Sequence, residues 1–254
     1  MDKNSTQRFS QKVETYIKYR PGYPSTLIDF FSNKIQGTKD AIIADIGSGT
    51  GILTEPFLKN GNVVFGIEPN KEMREGGEQF LENYPKFQSI SGTAEATNLP
   101  SSSVDFIMAG QAFHWFDVEK SKVEFERILK KNGQVLLIWN TRDDVRSHFM
   151  KEYNQYLLTY STDYQLIMHR RLERETFSKF YGNQEIKKIE LENYQIFDLD
   201  GLIGRYMSCS YSFDANHSKH KEAMQELEKI FKKHEENNRV KMWYKTEVYF
   251  GKLN

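Results

Sequence analysis

Several things are scarce in this chain of 254 residues, and each absence closes off a class of protein. There is one cysteine, Cys209, so neither an intramolecular disulfide nor a cysteine-built zinc site can form. Net charge is absent as well, with 35 Lys+Arg against 35 Asp+Glu. Residues 1–140 hold 16 basic and 17 acidic side chains, leaving 19 and 18 for the remainder, so neither half is a basic nucleic-acid module. No apolar run approaches the ~20 residues that span a bilayer, and the opening MDKNSTQRFSQKVETY has no signal-like apolar core. The expectation is a cytoplasmic protein without nucleic-acid or membrane partners. Proline is sparse too, 6 in all, and no linker rich in Pro, Gly or Ser divides the chain. One α/β domain carrying a modest cap suits this length.

What is present alternates. Apolar runs of strand length occur at 41–46 (AIIADI), 62–67 (NVVFGI), 87–90 (FQSI), 104–109 (VDFIMA) and 134–139 (QVLLIW), with helical stretches at 52–60, 70–83 and 117–130. Short, nearly continuous apolar strands between amphipathic helices imply a parallel sheet covered on both faces. Upstream, 6–19 suits a helix broken by Arg20-Pro21-Gly22-Tyr23-Pro24, and a second helix runs from Pro24-Ser25 to Gly37. Beyond Asn140 the rhythm changes: 143–182 is helical, aromatic and charged, 186–197 and 240–250 suit strands, and 216–236 suits a charged helix. The expected organisation is an amino-terminal segment (1–37), a ligand-binding core (38–140), a helical insertion (141–185) and closing strands and helix (186–254).

The stretch ADIGSGTG, residues 44–51, places Gly47, Gly49 and Gly51 after the first strand. Ligands of open parallel sheets bind where such a loop meets a helix amino terminus, and glycine lets backbone N–H groups come close. The spacing Asp45-x-Gly-x-Gly-x-Gly is neither the dinucleotide fingerprint G-x-G-x-x-G nor the phosphate loop G-x-x-x-x-G-K-[ST]. Glu68 ends the second strand, where a carboxylate can accept both hydroxyls of a ribose. Gly92-Thr93-Ala94-Glu95 follows the third strand and can face an adenine edge. The fourth strand runs into Gly110-Gln111-Ala112-Phe113-His114-Trp115-Phe116-Asp117, a cluster suited to a pocket wall.

These pieces resemble the class I S-adenosylmethionine-dependent methyltransferases. Within them the chain is similar to the small-molecule branch of the ubiquinone-biosynthesis and trans-aconitate enzymes. The resemblance rests on FSQKVETYIKYRPGYP, ADIGSGTG, GIEPN, GTAEATNLP, VDFIMAGQAFHWFD, KNGQVLLIWN and KTEVYFGK, and is strong over about residues 6–140. It implies a doubly wound, mostly parallel seven-stranded sheet with an antiparallel last strand. It implies S-adenosyl-L-methionine as cofactor and no metal. Asp45, Gly47, Ser48, Gly49 and Gly51 would lie under the methionine part. Glu68 would lie at the ribose and Ala94 and Glu95 at the adenine, with Pro69 and Gln111 as further cofactor contacts. Tyr16, Tyr19 and Arg20 would lie on a covering segment. His114 is the candidate base for an O, N or carboxylate nucleophile of a small metabolite, and a general base is needed only where that nucleophile must lose a proton.

The insertion should set specificity. Arg170, Arg171, Arg174 and Arg205 can pair with an acidic acceptor or form a solvated face. Tyr153, Tyr156, Tyr160, Tyr164 and Phe177 can line a pocket or be the insertion's own core. Two other readings share these features, a non-catalytic cofactor-binding protein and a nicotinamide-dependent oxidoreductase, the latter disfavoured by the glycine spacing. A nucleic-acid methyltransferase is disfavoured by neutral charge and by QAFHWFD standing where an N-P-P-Y-like turn would be. A monomer or homodimer is expected.

Overall fold

The computed structural model describes residues 17–162, 164, 174–182 and 184–253. After a helical turn at 17–19 the elements run α1 (Thr26–Lys34), β1 (Ile42–Ile46), α2 (Thr54–Asn60), β2 (Val63–Ile67), α3 (Lys71–Phe80), β3 (Phe87–Ile90) and β4 (Val104–Gly110). They continue with α4 (Val118–Ile128), β5 (Leu129–Arg142), α5 (His148–Thr159), α6 (Arg174–Tyr181), β6 (Lys187–Phe197), α7 (Leu199–Met207), α8 (His220–His234) and β7 (Val240–Gly251). The strands form one seven-stranded sheet in the order β3-β2-β1-β4-β5-β7-β6. The first five pair in parallel, and β7 runs antiparallel to both β5 and β6. This is the doubly wound sheet with a reversed last strand that the sequence pattern and the family resemblance imply. Among the described residues no helix is long and apolar enough to cross a membrane.

The strands are apolar on both sides because both sides are covered. Ile43, Val64, Phe106, Met108, Leu136 and Ile138 point into one layer with Phe31, Phe57 and Leu58 of α1 and α2. Ala44, Ile46, Ile107, Ala109, Val135 and Leu137 point into the other, with Phe125 of α4 and Phe180 and Tyr181 of α6. Period-two alternation with apolar residues in both registers marks a sheet sandwiched between helices. The helices start where side chains cap them: Asn70, Asp117, Ser147 and Asp198 each accept a hydrogen bond from a backbone N–H in the first turn.

A third aromatic core stands apart from the sheet, built by Tyr153, Tyr156, Tyr164, Tyr206, Phe213, Leu227, Phe231 and Tyr244. It forms a cap from α5, α7, α8 and the leading end of β7. The segment 141–185, expected as one insertion, is divided between two layers: α5 and Tyr164 join the cap core, whereas Phe177 and Phe180 of α6 join the sheet covering. Helix α7 is absent from the sequence reading. Its two glycines argue against a helix, yet Gly204 is needed, since a Cβ there would fall 2.3 Å from the Tyr19 ring. β5 also extends beyond the expected 134–139 at both ends, because β4 pairs with it at Leu129 and β7 pairs with it as far as Arg142.

Candidate functional site

The loop after β1 crosses to the tip of β2 through its own backbone. Gly47 and Ser48 donate from their amides to the Ile67 carbonyl at 2.8 and 3.2 Å. Gly47, Gly49 and Gly51 take φ of +68°, +56° and +83°, the left-handed region that side chains resist. Closeness adds to the constraint. A Cβ on Gly47 would lie 2.7 Å from the Ala112 Cβ, and one on Gly51 would lie 2.5 Å from the Leu81 side chain. Gly51 thus also meets a packing requirement, the approach of α3 to the loop.

Glu68, only 6% exposed, ties the loop to β2. Its Oε2 accepts from the Gly49 amide and its Oε1 from the Asn70 amide, both at 2.9 Å, which leaves each oxygen a further lone pair. Burial raises its pKa, opposed by those two amides and by Arg74. Arg74 in turn donates to the Glu68 carbonyl at 3.1 Å.

Beneath the loop Asp45 is 1% exposed. One carboxylate oxygen accepts from the Thr54 hydroxyl at 2.6 Å; the other, Oδ1, has no hydrogen-bond partner, and neither has the buried Thr50 hydroxyl. Burial pushes the Asp45 carboxyl up to about 7, with the Thr54 hydrogen bond opposing and the charge of Glu68 adding. Two orphaned polar atoms are costly in a folded core. Their place under a glycine loop marks a cradle for a polar group that the chain itself does not supply.

Next to this cradle a cleft of about 260 Å³, open solvent included, is lined by Gly47, Pro69, Thr93, Ala94, Glu95, Trp115 and Phe116. The residues singled out at the ends of β1, β2, β3 and β4 therefore come together around one opening. Ala94 is buried, and Glu95 accepts from the Asp117 amide at 2.9 Å, which fixes the start of α4 to the cleft. His114 is exposed on the short turn Phe113–Trp115, its ring centroid 4.7 Å from that of Trp115. Gln111 has φ of +56° just past β4 and donates through Nε2 to the Asn140 carbonyl at 3.1 Å. Strained non-glycine backbone at a strand tip is a feature of functional sites.

The amino-terminal elbow is bolted to the far side of this opening. The Gly22 carbonyl accepts from Asn140 and Asn193 side-chain amides at 3.1 and 2.8 Å, and Gln195 donates to the Tyr19 and Arg20 carbonyls, both at 3.3 Å. The Tyr23 hydroxyl lies 2.6 Å from where a Gly110 Cβ would stand, so glycine is required at the end of β4. Tyr19 packs on Gly204, and Arg20 donates to the Ser208 carbonyl at 3.1 Å, so both are set against α7 rather than against the glycine loop. Tyr16, Arg170 and Arg171 lie outside the described residues; Arg174 opens α6, and Arg205 is buried in the cap. Thr50, Thr54, Asn140 and Asn193 were not singled out from the sequence. Thr50 and Thr54 carry a local signal, the first lying inside the glycine loop between Gly49 and Gly51 and the second in the first turn after it, whereas Asn140 and Asn193 carry none.

Comparison with known proteins places this geometry. Residues 44–137, from the glycine loop through the centre of β5, match the family described as methyltransferase domain. An uncharacterized methyltransferase-like protein of Schizosaccharomyces pombe is 32% identical over 137 residues, 54% of this chain and 52% of the relative. A candidate methyltransferase of Dictyostelium discoideum is 30% identical over 192 residues, 74% of this chain and 65% of the relative. The chain spans about half the length of the first of these curated relatives. A candidate type II methyltransferase of Anaeromyxobacter dehalogenans shares the fold with a TM-score of 0.62 at 16% identity, covering 92% of this chain and 98% of that one.

Proposed function

We propose, from the match of residues 44–137 to the family described as methyltransferase domain, that the protein is a class I S-adenosylmethionine-dependent methyltransferase that transfers a methyl group to an O, N or carboxylate nucleophile of a small metabolite. The observation that carries the reading is the cradle: Asp45 Oδ1 and Thr50 Oγ1, both orphaned, lie under three left-handed glycines with the Glu68 carboxylate beside them. That set fits the cofactor's chemistry. Loop amides, Asp45 and Thr50 would hold its charged amino-acid end. Glu68 would accept ribose hydroxyls with its spare lone pairs, and Pro69, Ala94, Trp115 and Phe116 would enclose the base.

When bound, the cofactor supplies a methyl carbon on a sulfonium, already activated for in-line displacement. What remains for the chain is to position the acceptor, exclude water and, where needed, remove a proton. Gln111, Tyr23 and the Asn140 clamp border the side from which an acceptor would arrive. His114, exposed beside Trp115, is the group placed to take a proton from a hydroxyl or phenol. Specificity would come from the cap.

The test is turnover: protein incubated with methyl-labelled cofactor and a metabolite extract should move label into small molecules, and Glu68→Ala should not. Cofactor binding without transfer to any acceptor in the extract would favour a non-catalytic binding protein.

A further inference from the structure

Strand β6 is one edge of the sheet, and the other edge, β3, has only 4 residues. β6 runs for 11 residues, Lys187–Phe197, paired with β7 in one unbroken register. Its free side follows from that register. Asp143, just past β5, donates from its amide to the Trp243 carbonyl at 3.0 Å, so Trp243 and every second residue of β7 point toward β5. The residues opposite them, Tyr194, Glu192, Glu190 and Lys188, therefore turn their amides and carbonyls outward. At Tyr194 the edge is closed, because its amide donates to Asn193 Oδ1 at 2.8 Å. From Lys187 to Glu192 no backbone hydrogen bond reaches that edge from the described residues.

An open edge of this length is a template for another strand, and chains guard such edges with proline, a bulge or charge. β6 has neither proline nor bulge. Its charge is divided along the strand: Lys187 and Lys188 lead, Glu190 and Glu192 follow, and Ile189 stands between them. Within one chain Lys188 donates to Glu190 at 2.8 Å and to Glu247 at 2.6 Å, which holds these exposed groups on one face of the sheet. A foreign acidic or basic strand would match one half of β6 and oppose the other. An antiparallel second copy matches both. Turned about Ile189, each Lys188 faces the partner's Glu190, and the two half-buried Ile189 side chains meet. A register about Lys188 or Glu190 would set that charge on itself, and like charges directly opposite are destabilising. A register further along would need the closed Tyr194 amide.

We propose that β6 pairs with β6 of a second copy, antiparallel about Ile189, so that the protein is a two-fold dimer with one sheet continuous through both chains. The cleft lies at the tips of β1 to β4, away from this edge, so the dimer stands apart from the methyl-transfer reading. Sedimentation equilibrium of the full chain should show a mass that rises with concentration and levels at twice 29.9 kDa. Lys188→Glu and Glu190→Lys each turn two attractions into two repulsions and should weaken association roughly ten-fold or more. Mixed in equal amounts, the two variants should associate with each other. The double variant, carrying both reversals, should regain the wild-type dimer. Recovery in the mixture also shows that each variant is folded.

A mass of one chain up to sub-millimolar concentration would overturn the proposal. So would a dimer indifferent to either charge reversal, or growth beyond two chains, since a two-fold contact closes on itself. Calorimetry with the cofactor keeps the readings apart. Cofactor binding by a chain that stays monomeric sinks the dimer alone, and a dimer that binds no cofactor sinks methyl transfer alone.

Discussion

Replacing Asp45 by asparagine separates what the buried acid costs the fold from what it does for a ligand. In the free protein the Asp45 carboxyl is pushed from its ordinary 3.8 to about 7, mainly by burial. At 1.36 kcal/mol per unit, holding it ionised costs about 4 kcal/mol. The sign follows from linkage. A carboxyl whose folded pKa is raised contributes stability that is complete below its unfolded pKa, and that stability is lost as pH rises through the folded value. Between pH 5 and pH 8 roughly two of the three units are traversed, so wild type should lose about 3 kcal/mol relative to Asp45→Asn, in which this titration is gone. The amide can still accept from Thr54, and any offset from its new N–H donors does not vary with pH. Urea unfolding of both proteins at the two pH values gives the difference, in which contributions from shared groups cancel. The variant should also bind cofactor at least ten-fold more weakly, while wild-type affinity rises with pH up to about 7. A wild-type-minus-variant stability that is flat with pH, or that rises toward pH 8, would refute the assignment of a neutral acid beneath the loop.

Glu68→Ala removes the acceptor of the Gly49 and Asn70 amides as well as the proposed ribose contact; at roughly 1.5–3 kcal/mol for a charged hydrogen bond, calorimetry should show cofactor affinity falling ten-fold or more. Gly47→Ala meets both a positive φ and the Ala112 methyl at 2.7 Å, whereas Gly61→Ala meets a positive φ with its nearest neighbour at 4.0 Å. Left-handed strain alone costs about 1–2 kcal/mol, so Gly61→Ala should lose about that much stability and Gly47→Ala clearly more. Residues 19–23 should resist proteolysis equally with and without cofactor, because side-chain amides of β5 and β6 hold the Tyr19, Arg20 and Gly22 carbonyls, and Asn193→Ala should ease cleavage there. Protection there that appears only on adding cofactor would mean that the elbow moves when cofactor binds.

The parts legible in the sequence are those whose signal is local. β1 to β4 follow their apolar runs to within a residue or two, since a strand buried on both faces needs little beyond β-branched and apolar side chains. The glycine loop, Glu68, Ala94, Glu95 and the Trp115–Phe116 wall announce themselves because each ends a strand, and a parallel sheet brings strand ends together. Helix α7 was illegible because Gly201 and Gly204 lower helix propensity, and only the tertiary approach of Tyr19 explains Gly204. Placement of Tyr19 and Arg20 against α7 was hidden for the same reason: it depends on a helix some 180 residues away.

The glycine loop and Glu68 are proposed to form a site for S-adenosylmethionine. Calorimetric titration of the protein with S-adenosylmethionine, its demethylated product and NADH tests this most directly. Micromolar-range binding of the first two, one per chain, with no heat from NADH, is the predicted result. Preference for NADH, or no binding of either sulfur nucleoside, would contradict it.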